Sequence, residues 1–313
     1  MASPNLSEII TTTLRNRSKS LADNVSNHNA LLRRLSENGN ITSVTGREIV
    51  RELEYASNGT VGFYTGYETL DVSPSDVLTS ASFSYKQMAG NVTISGLEQI
   101  QNSGTEAIIN LLESRIGVLE KTMANTLSTS LYSDGTGSDG KEVGGLQLLV
   151  ADAGTGTVGG INSSTFTFFQ NVQTTATSSA FSTTNIQADM NTIYLSLVRG
   201  SDSPDLIMAD TNAYKSFLGS LQAIQRVTSD RVATSGFTSV QYLNSDVIFD
   251  DACPTNKMYF LNTDYLRLEV AANRNFVPGE AKMSVNQDAM VTPMFWSGNL
   301  TCSNRALQGV IHT

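Results

Sequence analysis

A helical repeat of apolar residues over positions 97–131 restricts the fold of this chain more than any other feature of its sequence. The repeat advances in steps of three or four residues or their multiples, which places its members on one face of a helix. Its members are Leu97, Ile100, Ile108, Leu112, Ile116, Leu119, Met123, Leu127 and Leu131. The glycines and aspartates of residues 133–140 cannot continue a helix. The pattern predicts one long helix that acts as a structural spine.

Two segments before this helix, 59–72 and 77–88, have the composition of extended strands. Aromatic and aliphatic residues alternate there with small polar ones around a turn at Pro74. The residues that carry this pattern are Phe63, Tyr64, Tyr67, Leu70, Phe83, Tyr85 and Met88. The pattern predicts a long β-hairpin. Because two strands alone cannot bury such a face, we expect these seven side chains to pack on another subunit.

Helices and strands alternate in the second half of the chain. The predicted helices cover residues 184–199 and 210–224, the second with Asp210 as its N-cap. The predicted strands cover residues 204–209, 240–249 and 257–270, and the last strand is broken at 262–264. This alternation implies one mixed sheet. Residues 141–183 read as short strands and a surface loop, and residues 289–312 as a closing strand pair. Together these elements predict an α+β fold.

The first 37 residues contain a helical stripe of apolar residues from about position 5. This segment carries five basic residues against three acidic ones, which makes it a mildly basic arm on an acidic protein. The pattern fits either an arm that lies near nucleic acid or a partner helix, or a solvated helix face. We favour the second interpretation.

Charge and composition narrow the classes of protein further. Only 16% of the residues are charged, against about 25% in ordinary soluble domains, and such a surface suits a subunit covered by its neighbours. The net charge of -9 argues against nucleic-acid binding through most of the surface. No segment resembles a signal peptide or a membrane span. We therefore expect a cytosolic chain without a membrane partner.

Two segments match the pattern Gly-x-Gly-x-x-Gly, at 135–140 and 154–159. A phosphate-binding turn of this type needs a hydrophobic strand before it and a helix after it. The first segment follows a helix, and the second leads into a polar stretch without helical periodicity. We interpret both segments as loops.

Residue types that support catalysis or metal binding are scarce. The histidines are His28 and His312, and the cysteines are Cys253 and Cys302. Two cysteines exclude a disulfide scaffold, a four-cysteine zinc site and an iron–sulfur cluster. The adjacent acidic residues at 250–251 would point to opposite faces of a strand. We therefore predict no cofactor, no metal and no enzymatic activity.

The order of these elements resembles that of the major capsid proteins of tailed double-stranded-DNA bacteriophages, which have the Hong Kong 97-type fold. Several local sequence patterns also resemble those of this family, and the resemblance covers nearly the whole chain. They are FYTGY at 63–67, FSYKQM at 83–88, GTVGGI at 156–161, GF at 236–237, VIFDDACP at 247–254 and KMYFLN at 257–262.

The resemblance implies a division of the chain into the named parts of that fold. These parts are an N-arm at 1–50, an E-loop at 51–95, a P-domain with the spine helix at 96–183, an A-domain at 184–272 and a P-domain return at 273–313. The E-loop would lie over a neighbouring subunit, and the A-domain would face the fivefold and sixfold axes.

The resemblance also implies a function, partners and a location. The function would be structural: pentamers and hexamers would assemble into an icosahedral shell that encloses viral double-stranded DNA, with weak, non-specific contact to that DNA. Besides itself, the chain would meet a separate scaffolding protein and a portal, with a decoration protein as a further candidate. It would reside in the virion capsid and, during assembly, in the host bacterial cytoplasm.

Two other readings stay open. One is an encapsulin-like compartment, in which the same fold encloses an enzyme instead of a genome. The other, from a different class, is a Ser/Thr-rich adhesin or fibre domain, which the low charge and the composition of residues 150–183 favour. The missing signal peptide and the long predicted helix argue against the adhesin.

Overall fold

The computed structural model describes residues 30–101, 111–221 and 239–313. The helices are α1 (Ala30–Glu37), α2 (Gly96–Gln101), α3 (Leu111–Ser130), α4 (Leu146–Leu149), α5 (Ile186–Leu197) and α6 (Thr211–Ser220), with a further single turn at Gly137–Gly140. The strands are β1 (Ile41–Val44), β2 (Ile49–Glu54), β3 (Leu78–Phe83), β4 (Lys86–Ser95), β5 (Thr157–Val158), β6 (Ile161–Asn162), β7 (Val172–Thr175), β8 (Leu206–Ala209), β9 (Ser239–Tyr242), β10 (Ser245–Phe249), β11 (Lys257–Leu261), β12 (Leu266–Ala271), β13 (Val277–Pro278), β14 (Lys282–Met283), β15 (Ala289–Cys302) and β16 (Gly309–His312). Short 3-10 turns occupy Thr167–Phe169, Thr177–Ser179, Thr263–Tyr265 and Arg305–Leu307. The chain is α+β, as predicted.

The first sheet is organised by β15, which has 14 residues. β15 pairs antiparallel with β4, from Ala289 opposite Ser95 to Gly298 opposite Lys86. Its C-terminal part pairs with β12, which in turn pairs in parallel with β1, and the short β13 and β14 complete the sheet. β4 leads directly into α2, and α3 packs against β4. The described part of the predicted spine helix that runs over Leu111–Ser130 therefore lies against the β4–β15 strand pair.

The second sheet has the strand order β7-β16-β11-β8-β10-β9. β8 is parallel to β10 and β7 is parallel to β16, whereas the other pairs are antiparallel. All four residues of β8 are buried, as expected of a strand in the middle of a sheet. The α5 and α6 side chains Ile193, Leu197 and Phe217 belong to the core cluster that this sheet forms. The predicted N-cap is confirmed, because Asp210 Oδ1 accepts a hydrogen bond from Ala213 N at 2.8 Å.

A hairpin forms in this region, but it is not the predicted pairing of 59–72 with 77–88. The predicted second arm divides into β3 and the start of β4, and β4 pairs with β15. β2 pairs antiparallel with β3, from Ile49 opposite Phe83 to Glu54 opposite Leu78. The segment 59–72 contains no strand, so that part of the prediction is wrong. Its glycines at 59, 62 and 66 weaken strand formation, and no strand of the described residues pairs with it.

Two further predictions about the sheets need correction. The predicted mixed sheet is confirmed for β8, β9, β10 and β11, but β12, the second part of the predicted strand 257–270, belongs to the first sheet. The last strands, β15 and β16, do not pair with each other, because β15 belongs to the first sheet and β16 inserts between β7 and β11 in the second. The 3-10 turn Arg305–Leu307 separates them.

Sheet membership also crosses the predicted domain boundaries at 183 and 272. β7 and β16, which lie in the predicted P-domain segments, belong to the second sheet, whose other strands come from the predicted A-domain. β12, which lies in the predicted A-domain, belongs to the first sheet. The sheets are therefore assembled from distant parts of the chain.

Several predicted features fall partly outside the described residues. The prediction of one long helix over 97–131 is wrong for its first part. Glu98 of α2 forms an ion pair with Arg115 of α3 at 2.9 Å, whereas one continuous helix would place these residues about 25 Å apart. Residues 102–110, between α2 and α3, lie outside the described residues. Of the N-terminal stripe, only α1 is described. The end of the predicted helix 210–224 and the GF pattern at 236–237 also lie outside.

Candidate interaction surface

The segment 55–77, which we call the apolar loop, joins β2 to β3. Its two ends are held together by the hydrogen bond from Tyr55 N to Val77 O at 3.0 Å. Its other described hydrogen bonds are local: Asp71 Oδ1 accepts from Ser73 N at 2.9 Å, and Glu68 Oε2 accepts from Thr65 N at 3.1 Å. The hydrogen bonds from Ser73 lower the pKa of the Asp71 carboxyl. The described hydrogen bonds of the apolar loop thus lie within its own turns and at its base.

Apolar side chains of the apolar loop point into solvent. Phe63 and Tyr67 are fully exposed. Other large apolar side chains of the loop are exposed as well: Val61, Tyr64, Leu70 and Val72. Monomeric proteins rarely expose so many large apolar side chains in one segment, and such a segment marks an interaction site.

An apolar groove of about 510 Å³ lies at the base of the apolar loop. Tyr55, Val77 and Leu78 line it from the hairpin, and Phe166 and Phe168 line it from the opposite side. The rings of Tyr55 and Phe168 are 5.6 Å apart. The exposed apolar surface therefore continues from the loop onto the body of the chain.

The predicted interface residues divide into two groups. Phe63, Tyr64, Tyr67 and Leu70 are exposed, as an intermolecular contact requires. Phe83 is only 6% exposed and packs in the chain's own core, and Tyr85 and Met88 pack against the same core. The expectation that Phe83 is buried only by a neighbour is wrong, because β2 and the β5–β6 turn already cover it.

The second Gly-x-Gly-x-x-Gly segment has a packing role at this position. Gly159 accepts a hydrogen bond from Ser82 N of β3 at 3.0 Å. A Cβ atom on Gly159 would lie 2.6 Å from the Ala81 Cβ, and its φ of 58° favours glycine. The segment holds the hairpin in place and has no helix after it.

Polar side chains fix the base of the hairpin. The sequence analysis did not identify them. Arg51 of β2 forms an ion pair of 2.5 Å with Glu269, which is buried on β12. Asn299, also buried, donates from Nδ2 to Ser84 O at 2.9 Å and accepts at Oδ1 from Gly144 N at 3.1 Å. The signal that could have identified Glu269 and Asn299 is their position inside otherwise apolar strands, where a polar residue needs a partner.

The candidate catalytic groups are not assembled into a site. Cys253 and Cys302 are both buried, and burial raises the pKa of each thiol, that of Cys302 to about 12. Cys302 and His312 end strands of different sheets, and the His312 ring contacts Gln173 Oε1 at 3.2 Å. His28 lies outside the described residues. Both thiols are therefore poor nucleophiles.

The acidic residues near position 250 anchor the N-terminal helix. Asp250 is buried and accepts hydrogen bonds from Tyr132 Oη at 2.9 Å and from Leu31 N at 3.3 Å. Asp246 forms a buried ion pair with Arg34 of α1. In the part of the chain that the structure describes, no group of three or more His, Cys, Asp or Glu residues is arranged to hold a metal ion.

Across residues 30–101, 111–221 and 239–313, no helix combines the length and the apolar character needed to cross a membrane. No protein-family model matches the sequence, and no curated protein is significantly similar to it.

Solved structures of similar fold exist at low sequence identity. A chain of the cyanophage A-1(L) capsid asymmetric unit has a TM-score of 0.73 at 17% identity, with 95% of each chain covered. A chain of the holo-SrpI encapsulin complex from Synechococcus elongatus PCC 7942 has a TM-score of 0.65 at 11% identity, covering 98% of this chain and 95% of that one. A chain of the native GTA particle capsid has a TM-score of 0.63 at 9% identity, covering 100% and 95%. These whole-chain matches show that the chain has the Hong Kong 97-type fold.

Proposed function

We propose that the chain is a structural subunit that self-assembles, as pentamers and hexamers, into an icosahedral shell. The observation that carries the proposal is the exposed apolar loop on a chain of this fold. The proposed location is the capsid of a phage virion and, during assembly, the cytoplasm of a bacterial host.

Self-assembly would give the apolar loop the cover that residues 30–101, 111–221 and 239–313 do not provide. Burying one Phe or Leu side chain contributes about 1.5–3 kcal/mol. Phe63, Tyr64, Tyr67 and Leu70 would pack together on a neighbouring subunit. Because each subunit both extends one loop and receives another, every subunit added to the shell gains this contribution.

A rigid base supports this use of the loop. The hairpin is tied to the first sheet by the Arg51–Glu269 pair and by Asn299. A loop that is ordered before binding loses less conformational entropy on association. The base therefore fixes where the apolar loop leaves the body of the chain.

The proposed cargo is double-stranded DNA, held by weak and non-specific contacts. The net charge of -9 disfavours extensive neutralisation of phosphates. A separate scaffolding protein, a portal and a decoration protein are the further partners that the sequence resemblance suggests.

A second candidate function is an encapsulin-like compartment with a protein cargo. The similarity to a chain of the SrpI encapsulin complex favours it. The higher TM-score for the cyanophage capsid chain favours the genome-enclosing shell. In both functions the chain is structural and does not catalyse a reaction, which is consistent with its two buried thiols.

Electron microscopy of the expressed protein tests shell formation. The particulate fraction is imaged by negative stain, with and without a candidate scaffolding protein, and the soluble fraction is followed by light scattering. Uniform icosahedral particles, sheets or tubes are expected. A monodisperse monomer or dimer under every condition would contradict the proposal.

The cargo is tested on purified particles from cells that also express the neighbouring genes. After nuclease treatment, protected DNA is expected inside the particles. A protected enzyme without DNA would replace the first candidate function with the second.

A further inference from the structure

The sequence contains two Asn-Gly dipeptides, Asn38-Gly39 and Asn58-Gly59. In this dipeptide the backbone nitrogen of glycine can attack the side-chain amide of asparagine, because glycine has no Cβ to hinder the approach and reaches backbone conformations closed to other residues. Whether the attack takes place depends on how the structure holds the glycine nitrogen, the side-chain amide nitrogen that leaves and the side-chain amide oxygen. The two sites differ in all three.

Asn38-Gly39 is locked at the end of α1. Gly39 N donates a hydrogen bond to Ser36 O at 3.1 Å, so the attacking nitrogen is engaged. Asn38 Nδ2, which would have to leave, donates to Thr263 Oγ1 at 3.1 Å. Asn38 is also half-buried. Each of these contacts must break before the reaction can begin.

Asn58-Gly59 lies within the apolar loop and lacks the contacts that hold Asn38-Gly39. Both residues are exposed. Among the described residues, neither Gly59 N nor Asn58 Nδ2 has a hydrogen-bond partner. Asn58 Oδ1 accepts two hydrogen bonds from one residue, from Thr60 N at 3.0 Å and from Thr60 Oγ1 at 2.7 Å.

These two donors face the atom on which negative charge develops. When a nitrogen adds to an amide carbon, the carbonyl oxygen becomes an oxyanion, and fixed donors aimed at that oxygen stabilise the transition state. Thr60 N can only donate, which identifies the facing atom of Asn58 as the oxygen. The site therefore combines an open nucleophile, an open leaving group and two donors to the oxyanion.

We propose that Asn58 is a self-modification site, at which the chain converts this asparagine to aspartate and isoaspartate. Gly59 N gives its proton to water or hydroxide and forms a bond to Asn58 Cγ. The Cγ–Nδ2 bond then breaks, and the amine takes a proton from water and leaves as ammonia. Water opens the resulting succinimide at either carbonyl. The net reaction consumes one water and releases one ammonia.

The products change the base of the apolar loop. Either product adds one negative charge at position 58, and isoaspartate also adds one carbon to the backbone path between β2 and β3. The modification is independent of shell formation, because it uses only contacts within one loop.

The experiment follows both asparagines in the same sample. The unassembled chain is isolated by gel filtration and incubated in mildly alkaline buffer, and peptide mapping with mass spectrometry gives the conversion at each site. Conversion at Asn58 should exceed conversion at Asn38 by about tenfold or more, the ratio that about 1.4 kcal/mol produces. In denaturant the two rates should become similar. Equal rates in the native chain, or the same ratio in denaturant, would overturn the proposal.

Two variants test the chemistry within the apolar loop, at the exposed Gly59 and the half-buried Thr60. Gly59→Ala should suppress conversion at Asn58, because its Cβ hinders the approach of the nitrogen. Thr60→Val removes only the hydroxyl donor and should slow conversion about threefold to tenfold, the range of one hydrogen bond. Conversion at Asn38 should stay unchanged in both variants. A Thr60→Val chain that converts Asn58 as fast as wild type, or faster, would refute the role of Thr60.

Discussion

The apolar loop and the strand β3 that follows it have similar apolar patterns but lie in different environments. Phe63 and Tyr67 are exposed, whereas Phe83 is buried. β3 pairs with β2 and packs against the turn at Gly159, while the apolar loop has no partner strand among the described residues. An alternating apolar pattern thus identifies side chains that need cover. A partner strand decides whether the chain itself supplies that cover.

Removing the apolar loop tests this contrast most directly. Replacement of residues 58–75 by a short Gly-Ser linker leaves β2 and β3 intact, so the thermal unfolding temperature should stay close to that of wild type. Particle formation should be lost completely, because the proposed contact to a neighbour is gone. Electron microscopy and calorimetry measure the two properties on the same preparation.

A conservative pair of variants sharpens the same test. Phe63→Ser should prevent assembly, whereas Phe63→Leu, which keeps an apolar side chain, should still assemble. Normal particles from the linker variant would show that the apolar loop is not an assembly contact.

Alanine substitutions of Phe83 and Phe63 should change the free energy of unfolding by very different amounts. Phe83→Ala removes a buried ring and should lower the free energy of unfolding by about 3–5 kcal/mol. Phe63→Ala removes an exposed ring and should change it by less than about 0.5 kcal/mol. Urea unfolding of the unassembled chains gives both values. Similar losses for the two variants would break the comparison.

The buried Arg305 extends the comparison to a polar side chain. It donates from Nε to Leu149 O at 2.6 Å, from Nη1 to Phe169 O at 3.0 Å and from Nη2 to Asn171 Oδ1 at 2.9 Å. Burial lowers the pKa of its guanidinium. Arg305→Met leaves Leu149 O and Phe169 O without this donor, each at about 1–3 kcal/mol, whereas Asn171 Oδ1 keeps its hydrogen bond from Ala151 N. We therefore expect a loss of about 3 kcal/mol. The exposed Arg267→Met is the matched control and should be nearly neutral in the same unfolding assay.

The smallest effect is expected at the junction of α2 and α3, where Glu98 pairs with Arg115 at 2.9 Å. The hydrogen bond from Arg115 lowers the pKa of Glu98 to about 2. A carboxyl whose pKa is lower in the folded state stabilises the fold above its unfolded pKa, and this contribution disappears as the pH falls towards 2. For a partly exposed pair it amounts to about 1 kcal/mol.

The contribution of the ion pair is obtained from the free energy of unfolding of Glu98→Gln and of wild type, measured as a function of pH. The difference between them should be present at neutral pH and vanish in strong acid. The exposed Glu120→Gln on α3 serves as the control and should follow wild type throughout. A Glu98→Gln difference that persists in strong acid would exclude the ion pair as its cause.

Helices and strands with strong local patterns could be predicted from the sequence. The apolar repeat predicts α3, and the sequence identifies Asp210 as an N-cap because its side chain satisfies a free backbone N–H. The break at 262–264 also appears, as a 3-10 turn between β11 and β12. Each of these features depends on residues close together in the chain.

The pairing of distant strands could not be predicted in the same way. β16 reads as a strand, but nothing in its four residues specifies that β7 and β11 become its neighbours. Proximity in the sequence predicts that β15 pairs with β16. Its partners in the structure include β4, some 200 residues away.

Local patterns in the sequence were enough to predict most helices and strands, the scarcity of catalytic groups and the apolar side chains that need cover; the strand predicted at 59–72 is an exception. Whether such a side chain is covered within the described chain, as Phe83 is and Phe63 is not, depends on the tertiary fold. The physical reason is that periodicity is set by local backbone geometry, whereas burial depends on which distant strands meet. Polar anchors such as Glu269 and Arg305 become understandable only once those strands are in place.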